Sequence, residues 1–121
     1  MSRILVVDDN RLIRDMLRSI LVGEGYDVDV AIDGLDAISS VREARPDIII
    51  TDFYMTKMHG DEFVKIVRDG PGDISTIPII GLAGTAESEK RLKGAGVSEY
   101  MAKPFMKKQL LDSIQVHLQK K

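Results

Sequence analysis

The chain has 121 residues, no cysteine and a formal net charge of −2, so it has the size of one domain and excludes a disulfide framework or thiolate chemistry. The weak negative charge argues against a nucleic-acid or membrane-surface protein, and no stretch approaches the roughly 20 apolar residues that span a bilayer. We therefore expect one cytoplasmic domain that occupies residues 1–121.

The N-terminal part of the chain predicts a buried strand followed by an amphipathic helix. Residues 4–7 are a run of apolar, mostly β-branched side chains that ends in Asp8 and Asp9. Apolar residues then recur at helical spacing over 12–21, and either Asp9 or Asn10 can cap the start of this helix.

The next segments predict a second strand–helix pair and a third strand. Residues 27–30 alternate aspartate and valine, which is typical of a short strand near a sheet edge. Asp33 and Gly34 form a turn or cap signal before an amphipathic helix over 35–41. Residues 47–52 follow a proline and hold three consecutive isoleucines before a final aspartate, which predicts a strand buried on both faces.

The second half of the chain continues this alternation. After a loop over 53–60, Asp61 can cap a third helix, which a break rich in glycine and proline at 69–72 ends. The remaining predicted elements are a strand at 78–83, a short helix at 88–93, a strand at 97–102 and a last helix at 110–118, which Lys120 and Lys121 follow.

Five strand–helix pairs in succession predict an α/β fold, a doubly wound five-stranded parallel sheet with helices on both faces. The C-terminal ends of parallel strands open on one edge of the sheet, so we expect Asp8, Asp9, Asp52 and Lys103 to converge there. Three carboxylates this close repel one another unless a cation lies among them. Such all-oxygen ligands suit Mg²⁺, Ca²⁺ or Mn²⁺.

Each of these residues also has a purely structural interpretation. The acidic pair can cap the first helix, Asp52 can be a turn residue, and Lys103 can be a solvated lysine. Only the combination of all four residues at the ends of strands favours a functional site. His59 and His117 have no carboxylate or cysteine at the expected ligand spacing, and we expect them to be surface or loop histidines.

The motifs around these residues resemble those of the response-regulator receiver domains of bacterial two-component signalling. Val6–Asn10 is similar to the family's acidic pair, Asp52–Gly60 to its phosphoacceptor stretch D-x-x-M-P-x-M-x-G, and Lys103–Phe105 to its closing K-P-F. The resemblance covers essentially the whole chain. It implies a CheY-like, flavodoxin-like (βα)5 fold with strand order 2-1-3-4-5. It also implies a phosphoprotein that catalyses only its own phosphorylation and dephosphorylation and is not otherwise an enzyme.

The resemblance also implies roles for individual residues. Asp52 would accept a phosphoryl group from the phosphohistidine of a histidine kinase or phosphotransfer protein, or from a small phosphodonor. Asp9 and Asp52 would ligate Mg²⁺ (or Mn²⁺) directly, together with the main-chain carbonyl of Tyr54, and Asp8 would act through water. Lys103 would pair with Asp52 and then with the phosphoryl oxygens.

Tyr100 falls at the family's aromatic switch position. Output would come from a downstream protein that binds the face formed by the fourth predicted helix, the fifth strand and the last helix. The Lys103–Pro104 bond is often cis in the family. Because the chain begins at the first strand and ends with the last helix, we expect a stand-alone receiver, although a receiver fragment of a longer regulator or hybrid kinase fits the same residues.

Three features depart from the family pattern. Ala83 stands where the family has Thr or Ser at the end of the fourth strand, so a hydroxyl for the phosphoryl group is missing, and Thr85 is the candidate substitute. The interval from Ala83 to Lys103 is short, which predicts a trimmed loop or a short fourth helix. Thr56 replaces the usual proline, which should loosen the loop. The bulky Tyr54 is expected to hinder hydrolysis of the acyl phosphate.

Three alternatives remain open from the sequence. A degenerate receiver would bind partners without phosphorylation, and Ala83 is the reason to consider it. A flavin-binding electron carrier would need a hydroxyl-rich phosphate loop where this chain has Asp8–Asn10. An aspartyl phosphohydrolase would need a second acid two residues after Asp52, where Tyr54 stands.

Overall fold

The computed structural model describes residues 2–119, which contain one five-stranded parallel sheet. Its strands lie in the order β2-β1-β3-β4-β5, and every neighbouring pair is parallel. The predicted fold class and strand order are confirmed, whereas Lys120 and Lys121 lie outside the described residues. The strands are β1 (Arg3–Val7), β2 (Asp27–Ala31), β3 (Ile48–Asp52), β4 (Ile79–Ala83) and β5 (Glu99–Ala102).

Helices pack on both faces of the sheet, and none within residues 2–119 is long and apolar enough to cross a membrane. They are α1 (Arg11–Gly23), α2 (Gly34–Glu43), α3 (Gly60–Arg68), α4 (Gly72–Ser75), α5 (Ala86–Ala95) and α6 (Lys107–Gln119).

The central strand β3 shows why both faces are covered. All five of its residues are buried, and its side chains alternate between two separate cores. Ile48 and Ile50 pack in the cluster that contains Leu17 of α1, whereas Ile49 packs in the cluster that contains Phe63 of α3. A continuous apolar run is what such a strand requires, because neither face meets water.

The first two helices begin where the sequence predicted. The Asn10 side chain accepts a hydrogen bond from the Ile13 N–H at 3.2 Å and caps α1. The Asp33 carboxylate accepts one from the Asp36 N–H at 2.8 Å and caps α2. These caps place the connections after β1 and β2 at the C-terminal edge of the sheet.

The third helix begins earlier than predicted. His59 is the N-cap of α3, so the prediction that Asp61 caps it is wrong, and Asp61 lies buried in the first turn. The cause is a close approach between chain segments, because Gly60 packs so tightly on the Asp52 carbonyl that a Cβ has no space. The Gly60 N–H also donates to the Phe53 carbonyl at 2.7 Å, which fixes the helix start beside β3.

The single-turn helix α4 was not predicted; it begins at Gly72, the last residue of the predicted break, and extends to Ser75. Arg68 holds this region together through main-chain carbonyls. Its guanidinium donates to Ser75 at 2.9 Å, to Ile77 at 2.7 Å and to Gly96 at 2.8 Å. Burial lowers the pKa of Arg68 below its usual range. One side chain thus connects the end of α3 to the start of β4 and the end of α5.

The fourth predicted helix is longer than expected. It corresponds to α5, which extends two residues beyond the predicted range at each end, so the prediction of a short helix is wrong. Gly96 ends it with φ of 109°, a left-handed conformation that glycine adopts without strain. Only Gly84 and Thr85 connect β4 to this helix, so the connection after β4 is short.

Candidate functional site

The expected convergence of charged side chains occurs at the C-terminal edge of the sheet. Asp52 is the last residue of β3, and Asp8 and Asp9 follow β1 directly. One carboxylate oxygen from each of these three residues lies within 4.8 Å of the other two. We call Asp8, Asp9 and Asp52 the acidic triad. Residues 44 positions apart meet here because β1 and β3 are neighbours in the sheet.

Asp8 is the most deeply buried member of the acidic triad. Its Oδ1 accepts a hydrogen bond from the Asn10 N–H at 2.9 Å, whereas its Oδ2 is buried with no hydrogen-bond partner among the described residues. Burial raises the pKa of Asp8, the bond from Asn10 opposes this rise, and the charge of Asp52 adds to it. A buried carboxylate oxygen without a donor is costly, and a cation bound there would relieve that cost.

Lys103 completes the site from the end of β5. Its Nζ donates to Asp52 Oδ1 at 2.8 Å, and the two side chains are 35% and 11% exposed. The Lys103–Pro104 peptide bond is cis. A half-exposed ammonium on a flexible stem can turn toward a new anion on Asp52 without leaving the site.

The segment after Asp52 forms the rim of the site. Phe53 is buried, and the exposed Tyr54 packs against it edge-on, with ring centroids 4.7 Å apart. The His59 ring lies 5.8 Å from that of Tyr54. The ring of Tyr54 is thus exposed two residues beyond Asp52, and the neighbouring rings of Phe53 and His59 hold it in place.

The end of β4 is Ala83, as predicted from the sequence. No side-chain hydroxyl is present at this position, and the Ala83 carbonyl accepts hydrogen bonds from the Tyr100 hydroxyl at 3.0 Å and the Lys103 N–H at 2.9 Å. The Thr85 hydroxyl accepts from the Ser88 N–H at 3.1 Å and donates to Ser88 Oγ at 2.8 Å, which caps α5. The role of Thr85 as a substitute hydroxyl stays a prediction that requires this cap to open.

The expectation that His117 is a surface or loop histidine is wrong. Its side chain is buried on α6, and its Nε2 lies 2.9 Å from Glu99 Oε1, which also accepts from the Ser113 hydroxyl at 2.7 Å. The sequence carried a signal for this burial, because His117 continues the helical spacing of Leu110 and Ile114. These contacts join β5 to α6.

The expectation that His59 has no carboxylate at ligand spacing is also wrong. One ligand atom each of His59, Asp61 and Glu62 lies within 4.8 Å of the others at the N-terminus of α3. Sequence reasoning missed this group because Asp61 was interpreted as a cap.

Comparison with known proteins places this site in context. The family model for the response regulator receiver domain matches residues 4–115. The DNA-binding response regulator MtrA of Mycobacterium tuberculosis is 34% identical over 121 residues, which cover 98% of this chain and 51% of MtrA. Response regulator MprA of the same species is 39% identical over 111 residues, which cover 90% of this chain and 47% of MprA. The chain therefore spans about half the length of these relatives.

Solved structures share the architecture. The chemotaxis response regulator CheY4 of Vibrio cholerae superimposes with a TM-score of 0.89 at 36% identity, covering 97% of this chain and 98% of that one. The receiver domain of sensor histidine kinase PA1611 from Pseudomonas aeruginosa superimposes with a TM-score of 0.90 at 27% identity, covering 97% of each chain. That second structure has a magnesium ion coordinated in its active site cleft.

Proposed function

Since the chain belongs to the response regulator receiver domain family, we propose that Asp52 accepts a phosphoryl group in a two-component phosphorelay. The observation that carries this proposal is the Lys103 ammonium at 2.8 Å from Asp52 Oδ1, beside two further carboxylates. The donor would be the phosphohistidine of a histidine kinase or phosphotransfer protein, or a small phosphodonor. Receiver domains are signalling modules, so the proposal includes no turnover of a separate substrate.

A divalent cation fits the acidic triad. Three carboxylates converge within 4.8 Å, and Asp8 Oδ2 is buried without a donor among residues 2–119. Mg²⁺ or Mn²⁺ would be held by Asp8, Asp9 and Asp52 together with the main-chain carbonyl of Tyr54. When bound, the ion would offset the negative charge of the triad and of the incoming phosphoryl group. The magnesium in the PA1611 receiver supports this assignment.

The side chains of the site suit transfer to a carboxylate. An oxygen of Asp52 attacks phosphorus, a new P–O bond forms as the donor's P–N bond breaks, and an acyl phosphate results. The leaving histidine nitrogen takes a proton from solvent or retains the electron pair as a neutral imidazole. Lys103 starts on Asp52 and then donates to a phosphoryl oxygen, so its positive charge stays beside the developing negative charge.

Phosphorylation of Asp52 would be transmitted to a partner through the end of β4 and the elements that follow it. The Tyr100 hydroxyl contacts the Ala83 carbonyl, so a shift of the β4–α5 connection would move its hydrogen-bond acceptor. We propose that a downstream protein binds the face formed by α5, β5 and α6. We also propose that this chain acts in the cytoplasm. Binding to nucleic acid is not part of the proposal, because the 121 residues of this chain carry a formal net charge of −2.

A degenerate receiver is the second candidate function. Ala83 offers no hydroxyl to a phosphoryl group, and the Thr85 hydroxyl is used in the cap of α5. In that case the same α5–β5–α6 face would bind a partner whether or not Asp52 is phosphorylated. The stand-alone receiver stays a prediction, and a receiver within a longer regulator stays its alternative.

Intact-protein mass spectrometry tests the proposal. We expect a single phosphoryl adduct after incubation with a small acyl phosphate and Mg²⁺, and no adduct when Mg²⁺ is chelated. Asp52→Asn should abolish the adduct, whereas Asp112→Asn, which removes an exposed carboxylate of α6, should leave it unchanged. If no adduct forms with several donors and a panel of kinases, the degenerate receiver is correct.

A further inference from the structure

A second group of ligand-type side chains, made of other residues than the acidic triad, lies at the N-terminus of α3. One ligand atom each of His59, Asp61 and Glu62 lies within 4.8 Å of the other two. We call these three residues the 59–62 cluster. None of them takes part in the proposed phosphoryl transfer, so an inference about the cluster does not depend on that proposal.

Asp61 provides an independent indication of a ligand. The residue is 8% exposed, and its Oδ1 is fully buried with no hydrogen-bond partner in the described part of the chain. Its Oδ2 lies 3.9 Å from Arg91 Nη1, which is beyond hydrogen-bond length. Arg91 therefore offsets part of the charge of Asp61 but leaves Oδ1 without a donor, and a cation bound at that oxygen would be stabilised.

The other two residues of the cluster leave the position accessible. His59 is half-buried and Glu62 is exposed, so an ion can enter from solvent. Glu62 Oε1 accepts a hydrogen bond from the His59 N–H at 3.3 Å, which holds the Glu62 side chain beside the cap. The three side chains are therefore brought together by the helix start itself, without a rearrangement of the backbone.

We propose that the 59–62 cluster binds one divalent transition ion of the zinc class. An imidazole nitrogen with two carboxylate oxygens suits Zn²⁺ and similar ions, whereas Mg²⁺ and Ca²⁺ favour oxygen ligands alone. Three protein ligands leave coordination positions for water, as in open zinc sites. The positive end of the α3 dipole and the charge of Arg91 oppose a cation, so the expected affinity is below that of a closed structural zinc site.

The location gives the ion a physical consequence. The Gly60 N–H donates to the Phe53 carbonyl at 2.7 Å, and Gly60 packs on the Asp52 carbonyl. An ion held by His59 and Asp61 would therefore restrain the segment that follows Asp52, by adding bonds on both sides of Gly60.

Zinc titration of the full chain by calorimetry tests the proposal. Excess Mg²⁺ is kept present so that the acidic triad does not compete for zinc. We expect one equivalent of Zn²⁺ to bind wild type, and His59→Asn and Asp61→Asn each to weaken binding at least about tenfold, since even the loss of a group that only hydrogen-bonds a metal ligand costs about 10–100-fold. Asparagine is a good N-cap and is nearly isosteric with aspartate, so both variants retain the helix.

Two control variants separate the cluster from other carboxylates. Glu89→Gln removes a first-turn carboxylate of α5 outside the cluster and should leave zinc binding unchanged. Asp9→Asn removes a triad carboxylate and should also leave it unchanged. The proposal is overturned if wild type binds no zinc, if both cluster variants bind it like wild type, or if Asp9→Asn abolishes binding.

Discussion

Asp8→Asn is expected to stabilise the protein in the absence of metal while weakening its response to Mg²⁺. The carboxylate of Asp8 is buried beside Asp52 and Asp9, and its Oδ2 has no hydrogen-bond partner among the described residues. An asparagine retains the acceptor for the Asn10 N–H and places a donor amide where the unpartnered oxygen was. The change removes a repulsive charge without changing the shape of the side chain.

The size of the effect follows from the spacing of the charges. At the 4.8 Å limit of the triad, two unit charges repel by about 3 kcal/mol if the effective dielectric constant is about 20. Lys103 offsets part of this repulsion, and solvent screens the exposed Asp9. We therefore expect Asp8→Asn to raise the free energy of unfolding of the metal-free protein by about 1–2 kcal/mol.

The pH dependence has a defined sign. Burial raises the pKa of Asp8 above 3.8, although the Asn10 N–H opposes the rise. The native state then holds this proton more tightly than the unfolded chain, so Asp8 lowers stability progressively as pH rises from 3.8 through its raised pKa. Asp8→Asn should remove this part of the pH dependence.

Urea unfolding in chelator and in millimolar Mg²⁺ measures both effects. Mg²⁺ should raise the free energy of unfolding of wild type, because it binds the native state, and should raise that of Asp8→Asn less. Asp112→Asn on the surface of α6 is the control, with a change within about 0.5 kcal/mol. The reasoning is refuted if metal-free Asp8→Asn is less stable than wild type, or if Mg²⁺ stabilises both proteins equally.

Three further predictions concern the rim of the site and the scaffold. Tyr54→Ala should shorten the lifetime of phosphorylated protein severalfold in a hydrolysis time course, because an exposed ring near Asp52 is lost, whereas Tyr54→Phe keeps the ring; equal lifetimes for all three would contradict this. Thr85→Ala should lower the free energy of unfolding by about 1 kcal/mol through loss of the α5 cap, and no change in urea unfolding would show that the cap contributes nothing. Arg68→Met should lower it by about 2–3 kcal/mol, because three main-chain carbonyls lose a charged donor; the exposed Lys108→Met is the control, and equal losses would contradict the role of Arg68.

Local sequence patterns were sufficient to predict the strands and the edge at which charges meet. The three isoleucines of β3 predicted a strand buried on both faces, and the structure confirms it. Asp8, Asp52 and Lys103 were expected together because parallel strands end on one side of a sheet, and Lys103 indeed bonds Asp52. These predictions succeed because the pattern of apolar side chains in each strand, and the strand–helix alternation that makes the strands parallel, can both be read from short stretches of sequence.

Helix boundaries and the burial of polar side chains depended on packing between distant segments. Asp61 is an ordinary cap candidate in sequence, yet the approach of Gly60 to β3 moves the helix start to His59 and buries Asp61. The α5 boundaries were similarly misjudged, because its ends are set by the Thr85 cap and by Gly96 rather than by apolar spacing.

The sequence by itself determined the fold class, the strand order through its family resemblance, and the positions of the acidic triad and Lys103. Only the tertiary structure decided that His117 is buried against Glu99, that the Tyr100 hydroxyl contacts Ala83, and that Asp61 has an unpartnered oxygen. The reason is that hydrophobic period specifies which face of an element is buried. It does not specify which polar atoms of other elements meet that face, because those contacts arise only when the helices and the sheet pack together.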